Sequence, residues 1–118
     1  MKTHRSEATK IIDSTAEERR LDELDELVAN AAKGDRFAIG CIAIALSPRL
    51  LAEARDALGE LFAQDDGDVL QDFFTALCEG ALSFPRIRGA GLPWLMKVIR
   101  EKAWEHLARR GPYGGQAG

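Results

Sequence analysis

Apolar residues recur at intervals of three and four positions along most of the chain, the spacing typical of helices that pack through one face. No stretch alternates steadily between apolar and polar residues, so strands are not predicted. The pattern divides into five helical segments separated by short breaks, at about 15–33, 36–46, 47–61, 65–79 and 93–110. The sequence therefore predicts an all-α fold, a compact bundle of about five helices.

The breaks between these segments carry ordinary helix-ending and helix-starting residues. Gly34 is expected to end the first helix and Asp35 to cap the second. Ser47 followed by Pro48 reads as an N-cap and a first helical position, so a third helix is predicted to begin there. Gly80 is expected to end the fourth helix, before a loop over 83–92.

The apolar positions also predict what is buried. The second segment is apolar almost all round, which favours a central, buried helix. Where the fourth and last helices meet, the expected core comprises Phe73, Leu77, Leu95 and Ile99. Trp94 is expected in the core and Trp104 half exposed. The two cysteines lie in apolar helical context, which predicts inaccessible thiols in a reducing compartment and no disulfide, at positions Cys41 and Cys78.

Length and composition fit one domain. The chain has 118 residues, of which 46% are hydrophobic, enough for one modest core. Residues 16–110 are expected to form the domain, between a flexible N-terminus (1–15) and a flexible Gly-rich tail (111–118). No apolar run approaches the roughly 20 residues of a membrane span, and residues 1–10 are polar, so a cytoplasmic protein without membrane association is predicted.

Charge is unevenly distributed along the chain. The net charge is −3, but residues 1–82 carry 17 acidic and 9 basic side chains, whereas residues 83–118 carry 7 basic and 2 acidic ones. An acidic body with a basic C-terminal third indicates two surfaces with different partners. Nucleic acid is one expected partner for the basic third, and a solvated helix face is the other interpretation.

The residues of catalytic and metal sites are sparse. His4 and His106 lie far apart in the sequence and far from both cysteines, so no metal-ligand spacing exists, and His106 is expected at the surface or facing DNA. The acidic run from Asp65 to Asp72 lacks the ligand pattern of a calcium loop, and these acids are better explained as helix-capping residues. No enzyme activity, cofactor or metal is expected.

Four short motifs follow one another in the chain. The first motif is a small residue followed by a Gly-Asp pair, and it ends at the aromatic Phe37. The second is Ser47-Pro48-Arg49-Leu50. The third is Asp68-Val69-Leu70-Gln71-Asp72-Phe73-Phe74, which is followed by a loop that contains Phe84. Trp94-Leu95-Met96-Lys97-Val98-Ile99-Arg100 then precedes Arg109-Arg110. In order and spacing, this succession over 27–110 resembles region 2 of the extracytoplasmic-function sigma factors of bacterial RNA polymerase. The resemblance implies a bundle with the sigma region 2 arrangement.

The resemblance also implies a polymerase-binding surface. In that family the helix matching 68–77 binds the clamp helices of the largest polymerase subunit, which present basic side chains. Asp68, Gln71 and Asp72 lie three and four positions apart and so share a helix face. We expect this face to bind core RNA polymerase, and an anti-sigma factor is a further expected partner.

The loop and the last helix are implied to bind promoter DNA. In the family they hold the single-stranded non-template strand of the −10 element and capture a flipped base. The loop over 87–92 is the expected pocket. The basic residues expected to contact phosphates are Arg86, Arg88, Lys97, Arg100, Lys102, Arg109 and Arg110.

Two features depart from the family. Glu101 stands where the family usually has Asn, and a carboxylate beside DNA is unfavourable unless it is paired. The domain that reads the −35 element is also absent from 111–118, so the chain is either a piece of a longer sigma factor or a free-standing region 2 homologue. Two alternatives therefore stay open. One is a protein-only regulatory module, such as a decoy that occupies the clamp without reading DNA. The other is an unrelated helical interaction protein that self-associates.

Overall fold

The computed structural model describes the backbone of residues 2–117 and the side chains of residues 16–110. Its helices are α1 (Lys2–Ala32), α2 (Arg36–Leu58), α3 (Asp66–Glu79) and α4 (Gly91–Ala117), with a 3₁₀ turn, Glu60–Asp65, between α2 and α3. No strand occurs within the described backbone. The predicted all-α class is confirmed, but the bundle has four α-helices rather than five.

The helix count differs because Ser47 and Pro48 do not end a helix. They lie within α2, which continues for ten residues beyond Pro48. A proline at this position removes the hydrogen bond to the carbonyl of Ile44, one turn earlier. Both Pro48 and Ile44 are exposed, so water can satisfy that carbonyl. Ile42 and Leu50, on either side of the proline, are both fully buried, and their packing favours one continuous helix.

The first helix also begins earlier than the sequence pattern predicts. The helical backbone of α1 starts at Lys2 and passes through Thr15, the expected first turn. Residues 2–15 contain no glycine or proline, so nothing in that stretch interrupts a helix. The side chains of 1–15 and 111–118 lie outside the described residues, and their expected flexibility stays a prediction.

The predicted turn between α1 and α2 is confirmed. The Asp35 carboxylate accepts hydrogen bonds from the backbone N–H groups of Phe37 (2.9 Å) and Ala38 (3.2 Å), as an N-cap does. Gly34 and Gly80 both have positive φ, 92° and 70°, after the last residues of α1 and α3. The two helix ends pack together so closely that a Cβ on Gly80 would lie 2.7 Å from the carbonyl oxygen of Lys33.

All four helices contribute to one core. Phe73, Leu77, Leu95 and Ile99 are completely buried, as predicted for the contact between α3 and α4. Trp94 is buried and its indole N–H donates to the carbonyl of Ser83 at 3.1 Å, which ties the 81–90 loop to α4. Trp104 is 54% exposed, in agreement with its expected half-exposed position.

The second helix is central, since α2 contacts α1, α3, α4 and the 3₁₀ turn, but the prediction that it is buried on all sides is wrong. One side of α2 packs into the core through Ala38, Ile39 and Ile42, whereas Phe37 is 80% and Ile44 87% exposed on the other side. Leu61, the last residue of the third predicted segment, is 84% exposed on the 3₁₀ turn. Three other helices cover only one side of α2, so its remaining apolar residues have no described neighbours to bury them.

The expected inaccessibility of the two thiols is not confirmed either. Cys78 is exposed and Cys41 half-buried. On α3, Leu77 takes the core position, so the adjacent Cys78 points away from it, since neighbouring helix residues differ by about 100° in direction. The apolar context that predicted burial did not specify which face of the helix is covered.

By length and composition alone, α2 is apolar enough to cross a membrane. Its buried residues, however, form part of the bundle core, among them Ile42, Leu50 and Leu58. A core helix of a globular domain passes the same test, so this property does not identify a membrane span.

Candidate functional site

One side of α3 is an acidic, solvent-exposed surface, which we call the α3 face and define as Asp68, Gln71, Thr75 and Glu79. All four residues are exposed, and they follow one another at intervals of three and four positions. The helix contains four acidic residues and no lysine or arginine. The buried Val69, Phe73, Ala76 and Leu77 lie on its opposite side. The face therefore presents carboxylates and an amide to solvent from a rigidly packed helix.

Asp72, expected to belong to the same surface, lies at its edge beside α4. Its carboxylate accepts a hydrogen bond from the Arg109 guanidinium at 2.9 Å. A cleft of about 190 Å³ lies between the two helices here, with Lys102 and Glu105 also in its wall. The structure thus brings Asp68 and Gln71 together as exposed groups and directs Asp72 toward Arg109.

The loop between α3 and α4 is held against α1 by carboxylates. Asp25 accepts hydrogen bonds from the backbone N–H groups of Gly89 (2.7 Å) and Gly91 (2.8 Å). Arg88 makes an ion pair with Asp22 at 3.1 Å and lies 3.6 Å from Glu18. The acidic side of α1 therefore neutralises one of the basic residues expected to contact DNA.

A cleft of about 480 Å³ opens between this loop and α1. The expected pocket, 87–92, contributes only Arg88 to it, and the other loop residues in its wall are Phe84 and Arg86. Three carboxylates and a small side chain of α1 form the opposite wall: Asp22, Asp25, Glu26 and Ala29. Phe84 packs edge-on against Trp94, with ring centroids 5.4 Å apart. The cleft combines an aromatic ring, two guanidinium groups and hydrogen-bond acceptors, which can hold a planar polar group.

Arg86 has an unusual backbone conformation for its residue type. Its φ is 56°, in the left-handed region that non-glycine residues rarely adopt. Its side chain is exposed and makes no ion pair with any side chain that the structure describes. A strained, solvent-facing arginine at the mouth of a cleft is a candidate ligand contact.

The basic residues of α4 do not form one continuous surface. Arg100 pairs with Glu53 of α2 at 3.1 Å, and Lys102 with Glu105 at 3.2 Å. Two positions apart, they point to nearly opposite sides of the helix. Lys97 is exposed on the outer face of α4, which it shares with Glu101 and Trp104. Of the residues expected to bind DNA, Lys97 and Arg86 make no ion pair among the described side chains.

A cluster that the sequence did not predict joins α4 to the start of α3. Asp65 is buried, and one of its carboxylate oxygens, Oδ2, contacts His106 Nε2 at 3.0 Å and the Arg110 guanidinium at 2.6 Å. The hydrogen bond with His106, together with the positive charge of Arg110, lowers the pKa of Asp65 below its ordinary value. His106 is thus half-buried in a contact between elements, which corrects the expectation of a surface or DNA-facing histidine.

This cluster also resolves the role of Asp65. It occupies the N-cap position of α3 but makes no capping hydrogen bond through its side chain, contrary to the expectation for these acids. Asp68 brings a second carboxylate within 4.8 Å of the potential ligand atoms. The Arg110 guanidinium, stacked 5.2 Å from the Phe62 ring centroid, already supplies a positive charge to the Asp65 oxygen. The arrangement is better explained as an internal contact that holds the start of α3 to α4, which we call a tether, than as a cation site.

Asp25 is the second tether that the sequence pattern missed. It belongs to an acidic run of α1, and such a run does not indicate a partner for any one carboxylate. A weak signal existed, because Asp25 lies three positions before the buried Val28 and so sits beside the apolar stripe rather than opposite it. Only the tertiary contact with Gly89 and Gly91 reveals its partner.

Comparison of the chain with protein-family models, with curated proteins and with solved structures finds no match. The resemblance to sigma region 2 therefore rests on the four sequence motifs. Two of them, at Gly34-Asp35 and at Asp68–Phe74, coincide with a helix cap and with the α3 face.

Proposed function

We propose that this chain is a sigma-factor-like transcription protein that binds core RNA polymerase through the α3 face. The observation that carries the proposal is the exposure of Asp68 and Gln71 on a helix with no basic residue, held rigidly by a buried opposite side. Such a face complements the basic clamp helices that the resemblance implies, because carboxylates form strong charge-assisted hydrogen bonds with arginine.

The proposal extends to single-stranded promoter DNA, contacted by the 81–90 loop and the outer face of α4. Arg86 and Lys97 make no ion pair among the described side chains and so supply positive charge, and the 480 Å³ cleft offers a place for an unstacked base. The exposed ring of Trp104, on the same side of α4 as Lys97, is a surface on which a base can stack.

Polymerase binding is tested by reversing charge on the α3 face. The Asp68→Lys variant should lose binding to core polymerase in a pull-down while its circular dichroism stays unchanged, because like charges in a desolvated contact cost several kcal/mol. Asp56→Lys is the matched control, since Asp56 is an exposed acid on α2. Equal retention of polymerase by both variants would exclude the α3 face.

DNA binding is tested with a single-stranded −10-like oligonucleotide, with and without core polymerase. Affinity should fall with salt by about 0.7 log units per log unit for each phosphate contact. Arg86→Gln and Lys97→Gln should weaken binding more than the control Arg49→Gln, an exposed arginine on α2. Salt-independent or undetectable binding would remove the DNA role.

A second candidate function is the protein-only module, a decoy that occupies the polymerase clamp without reading DNA. It is favoured by the pairing of the basic residues: five of the seven expected to contact phosphates form ion pairs within the described part of the chain, namely Arg88, Arg100, Lys102, Arg109 and Arg110. Polymerase binding that depends on Asp68, combined with no salt-sensitive DNA binding, would support this candidate over the first.

A further inference from the structure

The side of α2 opposite the core is an apolar surface in contact with solvent. We call it the α2 stripe and define it as Phe37, Gly40, Cys41, Ile44 and Pro48, at intervals of three and four positions. Its two largest side chains, Phe37 and Ile44, are 80% and 87% exposed. Residues 37–48 contain no charged side chain, so about three turns of the exposed side of α2 are uncharged. Contiguous apolar surface of this kind is typical of an interaction site.

The stripe has a symmetry that specifies a partner. Large residues lie at positions 37 and 44, and small residues, Gly40 and Cys41, lie between them at equal intervals. If two such helices cross antiparallel about a two-fold axis between positions 40 and 41, Phe37 faces the second copy's Ile44. Gly40 then faces the second copy's Cys41. Small residues at the centre allow the helices to approach while the large ones pack at both ends, which is the self-complementary arrangement of an isologous contact.

The charge distribution also favours a second copy of the chain as the partner that covers the α2 stripe. Residues 1–82 are strongly acidic, so two copies repel each other through most of α1 and α3. The α2 stripe lets two copies meet without placing carboxylates opposite one another, since residues 37–48 contain none. The area is modest: Phe37 and Ile44 with their small neighbours offer roughly 400–500 Å² per copy. Two copies would together bury close to the ~1,000 Å² at which specific interfaces begin.

We infer that the α2 stripe is the contact surface of a weak, antiparallel homodimer. This inference is independent of the proposed polymerase and DNA binding, because it uses neither the α3 face nor the 81–90 loop. It predicts that Cys41 lies next to the second copy's Cys41, close to the two-fold axis, whereas Cys78 on α3 lies away from it.

Cross-linking with a short bismaleimide tests the geometry. Its span is chosen near the ~8–10 Å that separates packed helix axes. The Cys78→Ser variant, which retains Cys41, should give a covalent dimer at high micromolar protein. The Cys41→Ser variant, which retains the exposed Cys78, should give only the background seen in denaturant. Equal or greater cross-linking through Cys78 would overturn the proposed axis.

Sedimentation equilibrium tests whether the α2 stripe is the dimer contact, without modifying the thiols. Ile44→Glu should raise the dimer dissociation constant at least about tenfold, because it buries a charge against the second copy's Phe37. Leu61→Glu is the matched control, an apolar residue of similar exposure (84%) on the 3₁₀ turn, and should leave the constant unchanged. Circular dichroism establishes that both variants fold.

A wild-type chain that stays monomeric at high micromolar concentration overturns the inference, whether or not it binds lipid vesicles or another protein through the stripe. A dimer that Leu61→Glu dissociates as effectively as Ile44→Glu also overturns it, since the contact would then lie elsewhere.

Discussion

Asp25 of α1 caps α4 from outside that helix: its Oδ1 accepts a hydrogen bond from the backbone N–H of Gly91, the first residue of α4, at 2.8 Å. Its other oxygen accepts from Gly89 N–H at 2.7 Å. A carboxylate at a helix N-terminus also complements the helix dipole. Because this side chain fixes both the loop and the start of α4, it connects the acidic body of the protein to the region expected to bind DNA.

Asp25→Ala should therefore destabilise the protein by about 1–2 kcal/mol, since it leaves two part-buried N–H groups without their acceptor. Urea unfolding followed by circular dichroism measures the loss. Glu26→Ala, one position on and exposed, is the control and should change stability by less than about 0.5 kcal/mol. Equal effects of the two substitutions would mean that the capping contact contributes nothing.

The two glycine positions at 80 and 67 should respond in opposite directions to alanine. Gly80→Ala forces a Cβ into a left-handed conformation and within 2.7 Å of a backbone oxygen, so a loss of more than about 1–2 kcal/mol is expected. Gly67 lies in the first turn of α3, and a Cβ added there would have no neighbour within 4 Å, so Gly67→Ala should stabilise by about 0.5 kcal/mol. Thermal unfolding of both variants checks the signs, and a tolerated Gly80→Ala would contradict the close packing of the helix ends.

The two thiols should label at different rates. Cys78 is exposed on α3, and a maleimide should modify it under native conditions at close to the rate in denaturant. Cys41 is half-buried and should react several-fold more slowly. Mass spectrometry of Cys41→Ser and Cys78→Ser measures the two rates separately. Slow labelling of Cys78 would contradict its exposed position and agree with the buried thiol that the sequence pattern predicted.

Local signals in the sequence predicted the local structure. The periodicity of Phe73, Leu77, Leu95 and Ile99 identified the contact between α3 and α4, because a helix with one apolar side must bury it. The Asp35 cap and the Gly34 and Gly80 helix ends followed from side-chain and backbone chemistry within a few residues.

The failures concern information that no local pattern contains. Ser47-Pro48 is a helix start by local chemistry, yet packing on both sides of it maintains one helix. A segment that is apolar on all sides shows which residues a core can bury but not how many neighbouring helices will cover it. The exposure of Phe37 and Ile44 therefore could not be predicted from the sequence. The contacts of Asp25 with Gly91 and of Asp65 with His106 join residues far apart in the chain, and acidic runs give no partner for an individual carboxylate.

The contact between Asp65 and His106 leads to a prediction about acid stability. The pKa of Asp65 is lowered from the ordinary value of 3.8, chiefly by its hydrogen bond with His106 and further by the charge of Arg110. A lowered pKa means that the ionised carboxylate stabilises the folded state above its unfolded-state pKa. This contribution disappears as pH falls through the folded-state pKa.

Asp65→Asn should therefore be less stable than the wild type near neutral pH, by a margin that starts to shrink as pH falls to about 4 and disappears as pH falls through the lower folded-state pKa. Urea unfolding at several pH values measures the margin. Asp56→Asn, at an exposed position without an ion pair among the described side chains, should show a small margin that does not change with pH. Since both variants remove one carboxylate, their difference isolates the tether from the general charge effect of acid. A margin for Asp65→Asn that stays constant over this range would show that the Asp65 carboxylate gains nothing from His106 and Arg110 in solution.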